Sequence, residues 1–140
     1  MAIQKIQLSN FTVFEQLEIN FSEGINIFIG ENGTGKTHLM KLIYSACKAA
    51  EPKVSFSQKI VNTFRPDDFK IGRLVNRKPG ISISSVKISA QRNGTNKTLI
   101  INFNTKTKKW DAEVKNEQSW EKDFSDLEST FIPAKEILSN

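Results

Sequence analysis

Apolar residues in the first 29 positions fall into three short runs. Ile3, Ile6 and Leu8 precede a turn at Ser9–Asn10, and Phe14, Leu17, Ile19 and Phe21 alternate imperfectly with polar neighbours. Ser22–Glu23–Gly24 then turns into Ile25–Asn26–Ile27–Phe28–Ile29, a nearly continuous apolar run that predicts a strand buried on both faces. The period changes after Lys36. Leu39, Leu42, Ile43, Ala46, Cys47 and Ala50 recur at three- and four-residue steps, predicting one buried helical face that Pro52 stops. Phe56, Ile60, Val61 and Phe64 predict a second short helix, ended by Arg65–Pro66 because the residue before proline disfavours helix. A turn-rich segment follows, with Leu74 and Val75 as anchors and Lys78–Pro79–Gly80 as punctuation. Residues 81–115 read as an antiparallel meander. Ile81, Ile83, Val86 and Ile88 alternate with a parity slip at Ser84–Ser85 that suggests a bulge. Asn93–Gly94 is a hairpin signal leading to Thr98–Phe103, and a third strand runs through Trp110, Ala112 and Val114. Trp110 and Trp120 are read as core or edge aromatics rather than base-stacking residues. Ser119–Lys122 is a polar stretch, and Ser129–Ile132 reads as a short buried strand ended by Pro133.

The most specific signal lies where the third apolar run meets the first helix. Gly30-Glu31-Asn32-Gly33-Thr34-Gly35-Lys36-Thr37 is a complete G-x-x-x-x-G-K-[ST] phosphate-binding loop in a strand-to-helix context. A triphosphate is held by aiming backbone N–H dipoles and an ammonium at its oxygens, which is why this spacing is so constrained. The reading gives amides from Asn32 to Thr37 to the β-phosphate, Lys36 to the β- and γ-oxygens as the catalytic cation, and the Thr37 hydroxyl to Mg²⁺. The nucleotide contacts then span Gly30 to His38. Glu31 and Asn32 are solvent-side loop residues first and γ-phosphate neighbours second, and His38 is expected to be an exposed helix residue. The plain alternative is a glycine-rich turn with no ligand.

Length and charge set the outer limits. A chain of 140 residues is one domain's worth, long enough for a core but short for a complete nucleotide-driven machine. No apolar run reaches the 18 or so residues of a membrane span, so no membrane partner is expected. The first residues lack a secretory layout, and the single cysteine, Cys47, can form no internal disulfide, so a reducing cytoplasm is the expected setting. Net charge is +5 but unevenly spread: residues 65–109 hold eleven Lys/Arg against two Asp/Glu, and residues 110–140 hold three against eight. The central stretch is either a nucleic-acid surface or, the preferred reading, a solvated face neutralised by the acidic tail folding beside it.

Ile6-Gln7-Leu8-Ser9-Asn10-Phe11, Leu17-Glu18-Ile19-Asn20-Phe21, Gly24-Ile25-Asn26 and the Gly30–Thr37 loop together resemble the N-terminus of the RecF, SMC and ABC-like branch of AAA-type ATPases. The tail, Phe131-Ile132-Pro133-Ala134-Lys135-Glu136-Ile137-Leu138-Ser139, is similar to a segment of small bacterial ATP-binding proteins of that branch, some linked to phage defence. The resemblance implies an α/β fold of α+β character, a P-loop NTPase half-domain with an antiparallel β-subdomain that forms an ABC-ATPase-like N-terminal lobe. Residues 1–52 would carry the loop and its helix, and residues 81–115 the meander. It also implies ATP and Mg²⁺ as cofactors and a head-to-head homodimer in the intact protein, with ATP turnover driving dimerisation or motion in DNA maintenance or defence.

The departures are equally definite. No apolar strand ending in Asp-Glu and no Leu-Ser-Gly-Gly run is present, so the Walker B carboxylates and the signature motif would lie elsewhere, in a longer protein. This chain alone is expected to bind nucleotide without efficient hydrolysis. In relatives the turn after the first strand lies beside the nucleotide and often bears a basic residue; Asn10-Phe11-Thr12-Val13 has none. Two other classes compete. A GTPase would need Asn-Lys-x-Asp, and the nearest string, Asn96-Lys97-Thr98-Leu99, lacks the aspartate, while a small-molecule kinase would need alternating strand–helix units. A nucleic-acid-binding module with a vestigial loop would show steep salt dependence and indifference to ATP.

Overall fold

A computed structural model describes residues 2–31 and 34–125. Five strands form one sheet in the order β2-β1-β3-β4-β5, every neighbouring pair antiparallel: β1 (Ala2–Phe11), β2 (Phe14–Asn20), β3 (Ile83–Arg92), β4 (Thr95–Asn104) and β5 (Glu113–Lys115). Three helices, α1 (Lys36–Lys48), α2 (Phe56–Phe64) and α3 (Glu117–Phe124), accompany the sheet. Two short 3-10 turns, Asp67–Phe69 and Ile71–Leu74, join α2 to the meander.

Alternation decides which sheet face is buried. Ile6 and Leu8 of β1, Val86, Ile88 and Ala90 of β3, and Leu99, Ile101 and Phe103 of β4 share a core with Leu39, Leu42 and Ala46 of α1 and Phe56, Ile60 and Val61 of α2. The opposite face carries Gln7, Ser85, Lys87, Ser89 and Thr98, a polar surface typical of a one-sided antiparallel sheet. Both helical periods place their apolar stripes on this core. Ser55 caps α2 at its start, and Arg65 ends it in a left-handed conformation at φ 50°. Helix α1 stops at Lys48, before the expected Ala50, but Ala49 and Ala50 remain buried in the turn that follows. Cys47 is buried beneath α1, as its place in the stripe requires.

The meander is present with altered details. Asn93 and Gly94 both have positive φ, 48° and 80°, the geometry a two-residue hairpin loop needs to match strand twist. The expected bulge at Ser84–Ser85 is not there. β3 pairs with β4 without interruption from Ile83 to Arg92, and the parity slip arises because Ile83 faces away from the core, 66% exposed, while Ser84 faces into it with its hydroxyl unpaired among the described residues. The register shift of this sheet instead lies in β1, between Ile3 and Lys5 opposite β3. β5 is only three residues long, so Trp110 and Ala112 precede it rather than belonging to it.

Two expectations fail outright. The turn after the first strand lies at Thr12–Val13, not Ser9–Asn10, because β1 continues pairing with β2 as far as Phe11 opposite Phe14. Residues 25–29 form no strand: Ile25, Ile27 and Ile29 are 85%, 77% and 93% exposed. A strand needs a neighbour to take its backbone hydrogen bonds, and β2 and β5, which end the sheet, pair with nothing in residues 25–29. Only Phe28 finds company, edge-on to Phe21 at 5.9 Å.

The Ser119–Lys122 stretch is the middle of α3. Trp120 and Phe124, one helical turn apart, pack edge to face at 4.9 Å, and the Trp120 indole N–H donates to Ala46 O at 2.8 Å, pinning α3 to the end of α1. The expected strand at Ser129–Ile132 lies outside the described residues.

Candidate functional site

The phosphate loop ends on α1. Gly35 is the residue before the helix and sits at φ 92°, a backbone state that an L side chain adopts only under strain. Space forbids one as well: a Cβ there would lie 2.8 Å from Val13 Cγ2 and closer still to the Phe14 ring. The β1–β2 turn therefore packs directly on the loop. This is the position the resemblance assigns to that turn.

The start of α1 is open to an anion. No side chain caps it, its first turn holds no carboxylate, and Thr37 is exposed. The first amides of a helix have no carbonyl partners within it and carry the positive end of its dipole, so a phosphate satisfies both at once. Thr34 closes the preceding bend, its hydroxyl donating to Glu31 O at 2.7 Å and its N–H to the same oxygen at 3.3 Å. The Lys36 ammonium donates to Gly30 O, so its side chain folds back across the loop rather than out along the helix. Gly30, Glu31, Thr34, Gly35, Lys36 and Thr37 thus share one loop–helix junction, and Asn32 and Gly33 lie outside the described residues. Among the described residues no group of three His, Cys, Asp or Glu gathers to hold a metal ion.

His38 departs from expectation. It is half-buried, its Nδ1 lies 2.9 Å from Thr12 Oγ1, and its ring tilts against Phe64 at 5.7 Å. Burial, then the nearby Lys41 ammonium, push its pKa below the ordinary 6.5, so the ring is neutral at pH 7. The sequence placed His38 on the exposed side because the residues that cover it come from two other elements.

Thr12 was not a sequence candidate, and it is the link in the arrangement. Besides contacting His38, its N–H donates to Leu74 O at 2.7 Å and its carbonyl accepts from Asn76 Nδ2 at 2.8 Å. Asn76 N–H in turn donates to Asn10 O at 2.8 Å, and Phe11 bridges to Val75. The phosphate loop, the β1–β2 turn and the segment after α2 are one connected assembly.

A separate concavity lies away from the loop. A cleft of about 760 Å³ lies at the far end of the sheet, against Gln4, Phe21, Glu23 and Arg92. It holds no residue of the Gly30–Thr37 loop.

Similarity to known proteins agrees with this geometry. Residues 5–139 match the family described as AAA domain. DNA replication and repair protein RecF of Clostridium botulinum (strain Eklund 17B / Type B) is 36% identical over 78 residues, 56% of this chain and 21% of that protein. RecF of Bacillus mycoides is 36% identical over 83 residues, covering 59% and 22%. RecF of Clostridium kluyveri is 29% identical over 103 residues, covering 64% and 28%. The match thus spans between 21% and 28% of the length of these relatives. A solved structure from work on ATP-driven dimerization and DNA stimulated activation of SMC ATPases superposes with a TM-score of 0.59 at 15% identity, over 86% of this chain and 75% of the other. That likeness bears on fold, and it agrees with an antiparallel sheet beside a P-loop lobe. The chain belongs to the AAA domain family, and RecF proteins are among its sequence relatives.

Proposed function

We propose that Gly30–His38 binds Mg·ATP and that this lobe, as part of a longer protein, couples ATP binding and hydrolysis to head-to-head dimerisation or conformational change in DNA maintenance. The observation that carries the reading is the junction at Gly35–Thr37: an uncapped helix start, free of carboxylates, with the Lys36 ammonium folded back over the loop. These residues fit the ligand. The α1 amides and Lys36 suit the β- and γ-phosphates, and the exposed Thr37 hydroxyl suits a Mg²⁺ ion carried in on them, which would neutralise phosphate charge during transfer. DNA maintenance is favoured because the RecF relatives are named for DNA replication and repair. Hydrolysis would need carboxylates that the sequence does not hold in a Walker B pattern, so binding without turnover is the property assigned to this chain.

Lys36→Ala tests the proposal. Titration with a fluorescent ATP analogue and Mg²⁺ is expected to show at least a tenfold loss of affinity, a change of about 1.4 kcal/mol or more in binding. Urea unfolding is expected to move by less than about 0.5 kcal/mol, since among the described residues the Lys36 ammonium donates to a loop carbonyl and joins no ion pair. Unchanged affinity would end the proposal. The reading as a nucleic-acid module with a vestigial loop is the outcome if the unsubstituted chain shows no Mg·ATP binding at all.

A further inference from the structure

The residue that ties the β1–β2 turn to α1 sits in a backbone state its side chain disfavours. Thr12 has φ 49°, in the left-handed region, and among the described residues it is the only β-branched residue with a positive φ. Glycine and asparagine enter that region readily, whereas two heavy atoms on Cβ crowd the adjoining backbone. Residues in such states persist where their surroundings over-determine them, and they gather at functional sites.

The turn itself does not call for a threonine. The Thr12 N–H donates to Leu74 O at 2.7 Å and its carbonyl accepts from Asn76 Nδ2 at 2.8 Å, so the segment after α2 fastens both sides of its backbone. Any residue other than proline could make these bonds, and glycine would make them without crowding. What threonine adds is a hydroxyl, which lies 2.9 Å from His38 Nδ1. A hydroxyl both donates and accepts, so the bond forms with either ring tautomer. The methyl group restricts χ1 and so holds the hydroxyl in one direction.

His38 is the third residue of α1, directly after Lys36 and Thr37. Helical residues step about 100° round the axis. Fixing His38 between Thr12 and the Phe64 ring therefore fixes the directions in which its two predecessors leave the helix. Val13 and Phe14 of the same turn crowd Gly35, which excludes a side chain there but sets no rotation of the helix.

We propose that Thr12 is a positioning residue for the phosphate loop, its hydroxyl orienting the first turn of α1 through His38 so that Lys36 and Thr37 meet a bound nucleotide. The proposal rests on the reading of Gly30–His38 as a Mg·ATP site. It assigns the disfavoured backbone at Thr12 to ligand binding and not to the stability of the turn.

Titration of the 140-residue chain with a fluorescent ATP analogue and Mg²⁺ is the test. Thr12→Val keeps shape and crowding without the hydroxyl and is expected to bind about fivefold more weakly, the worth of one neutral hydrogen bond. Thr12→Ser keeps the hydroxyl and should stay within about twofold of the unsubstituted chain. Thr12→Gly relieves the backbone, so its urea midpoint should equal or exceed that of the unsubstituted chain while its affinity falls as in Thr12→Val. In a His38→Ala background, Thr12→Val should cause no further loss, because its effect passes through that ring. Unchanged affinity in Thr12→Val, or a loss in Thr12→Ser as large as in Thr12→Val, would overturn the proposal. A urea midpoint in Thr12→Gly that falls together with affinity, or full additivity with His38→Ala, would overturn it as well. Binding that is lost in Lys36→Ala and intact in Thr12→Val sinks this inference alone. No Mg·ATP binding by the unsubstituted chain sinks the site reading and this inference with it.

Discussion

Residues 25–29 and residues 86–90 are both apolar strand-forming runs, and they end in opposite places. Val86, Ile88 and Ala90 are fully buried between β1 and β4, whereas Ile25, Ile27 and Ile29 stand in solvent. Side-chain character does not separate the two. What separates them is that β3 has a hydrogen-bonding neighbour on each side and helices over one face, while residues 25–29 have neither among the described residues. A strand is a relation between segments, so its apolar content states a demand for partners and not their presence.

The contrast is sharpest under truncation. Ile88→Ala is expected to cost about 2–5 kcal/mol in urea unfolding, because it opens a cavity in a packed core. Ile27→Ala should change stability by less than about 0.5 kcal/mol. Comparable losses at the two positions would show that residues 25–29 are packed in solution and that the contrast drawn above is wrong.

A second test moves from the open run to the loop it feeds. Gly35→Ala is expected to destabilise by about 1–3 kcal/mol, as a methyl group must be forced into left-handed backbone beside Val13 and Phe14. It should also weaken Mg·ATP binding, which a fluorescent analogue would report. A neutral effect on both would mean that the turn and the loop do not touch in solution.

The smallest effect concerns pH. His38 has a folded-state pKa below its unfolded value of 6.5, so the unfolded chain binds the extra proton first as pH falls. Stability from keeping the ring neutral is complete above about pH 6.5 and declines below it, until the folded state also protonates. His38→Gln should flatten the slope of unfolding free energy against pH in that range. An unaltered slope would assign the pH dependence to other groups.

Much of this arrangement was readable from sequence because its causes are local. The loop motif needs only its own spacing, the stripes of α1 and α2 appear in their three- and four-residue steps, and Asn93–Gly94 dictates its own turn. The rest was hidden because its causes are distant. The exposure of Ile25, Ile27 and Ile29 depends on which strands lie alongside, and the burial of His38 depends on Thr12 and Phe64. Helix α3 has eight residues and two apolar anchors, too short for its period to show. The hydrogen bond from Ile71 N–H to Lys109 O joins segments more than thirty positions apart.

Cys47 is the sole sulfhydryl in the chain, and it is sealed under α1, the helix that begins with Lys36. A thiol in that position is shielded from alkylating reagents until the helix lifts away from the sheet, since only the accessible thiolate reacts. The protein therefore contains its own clock for the opening of the element that ends its phosphate loop, readable without adding a label elsewhere.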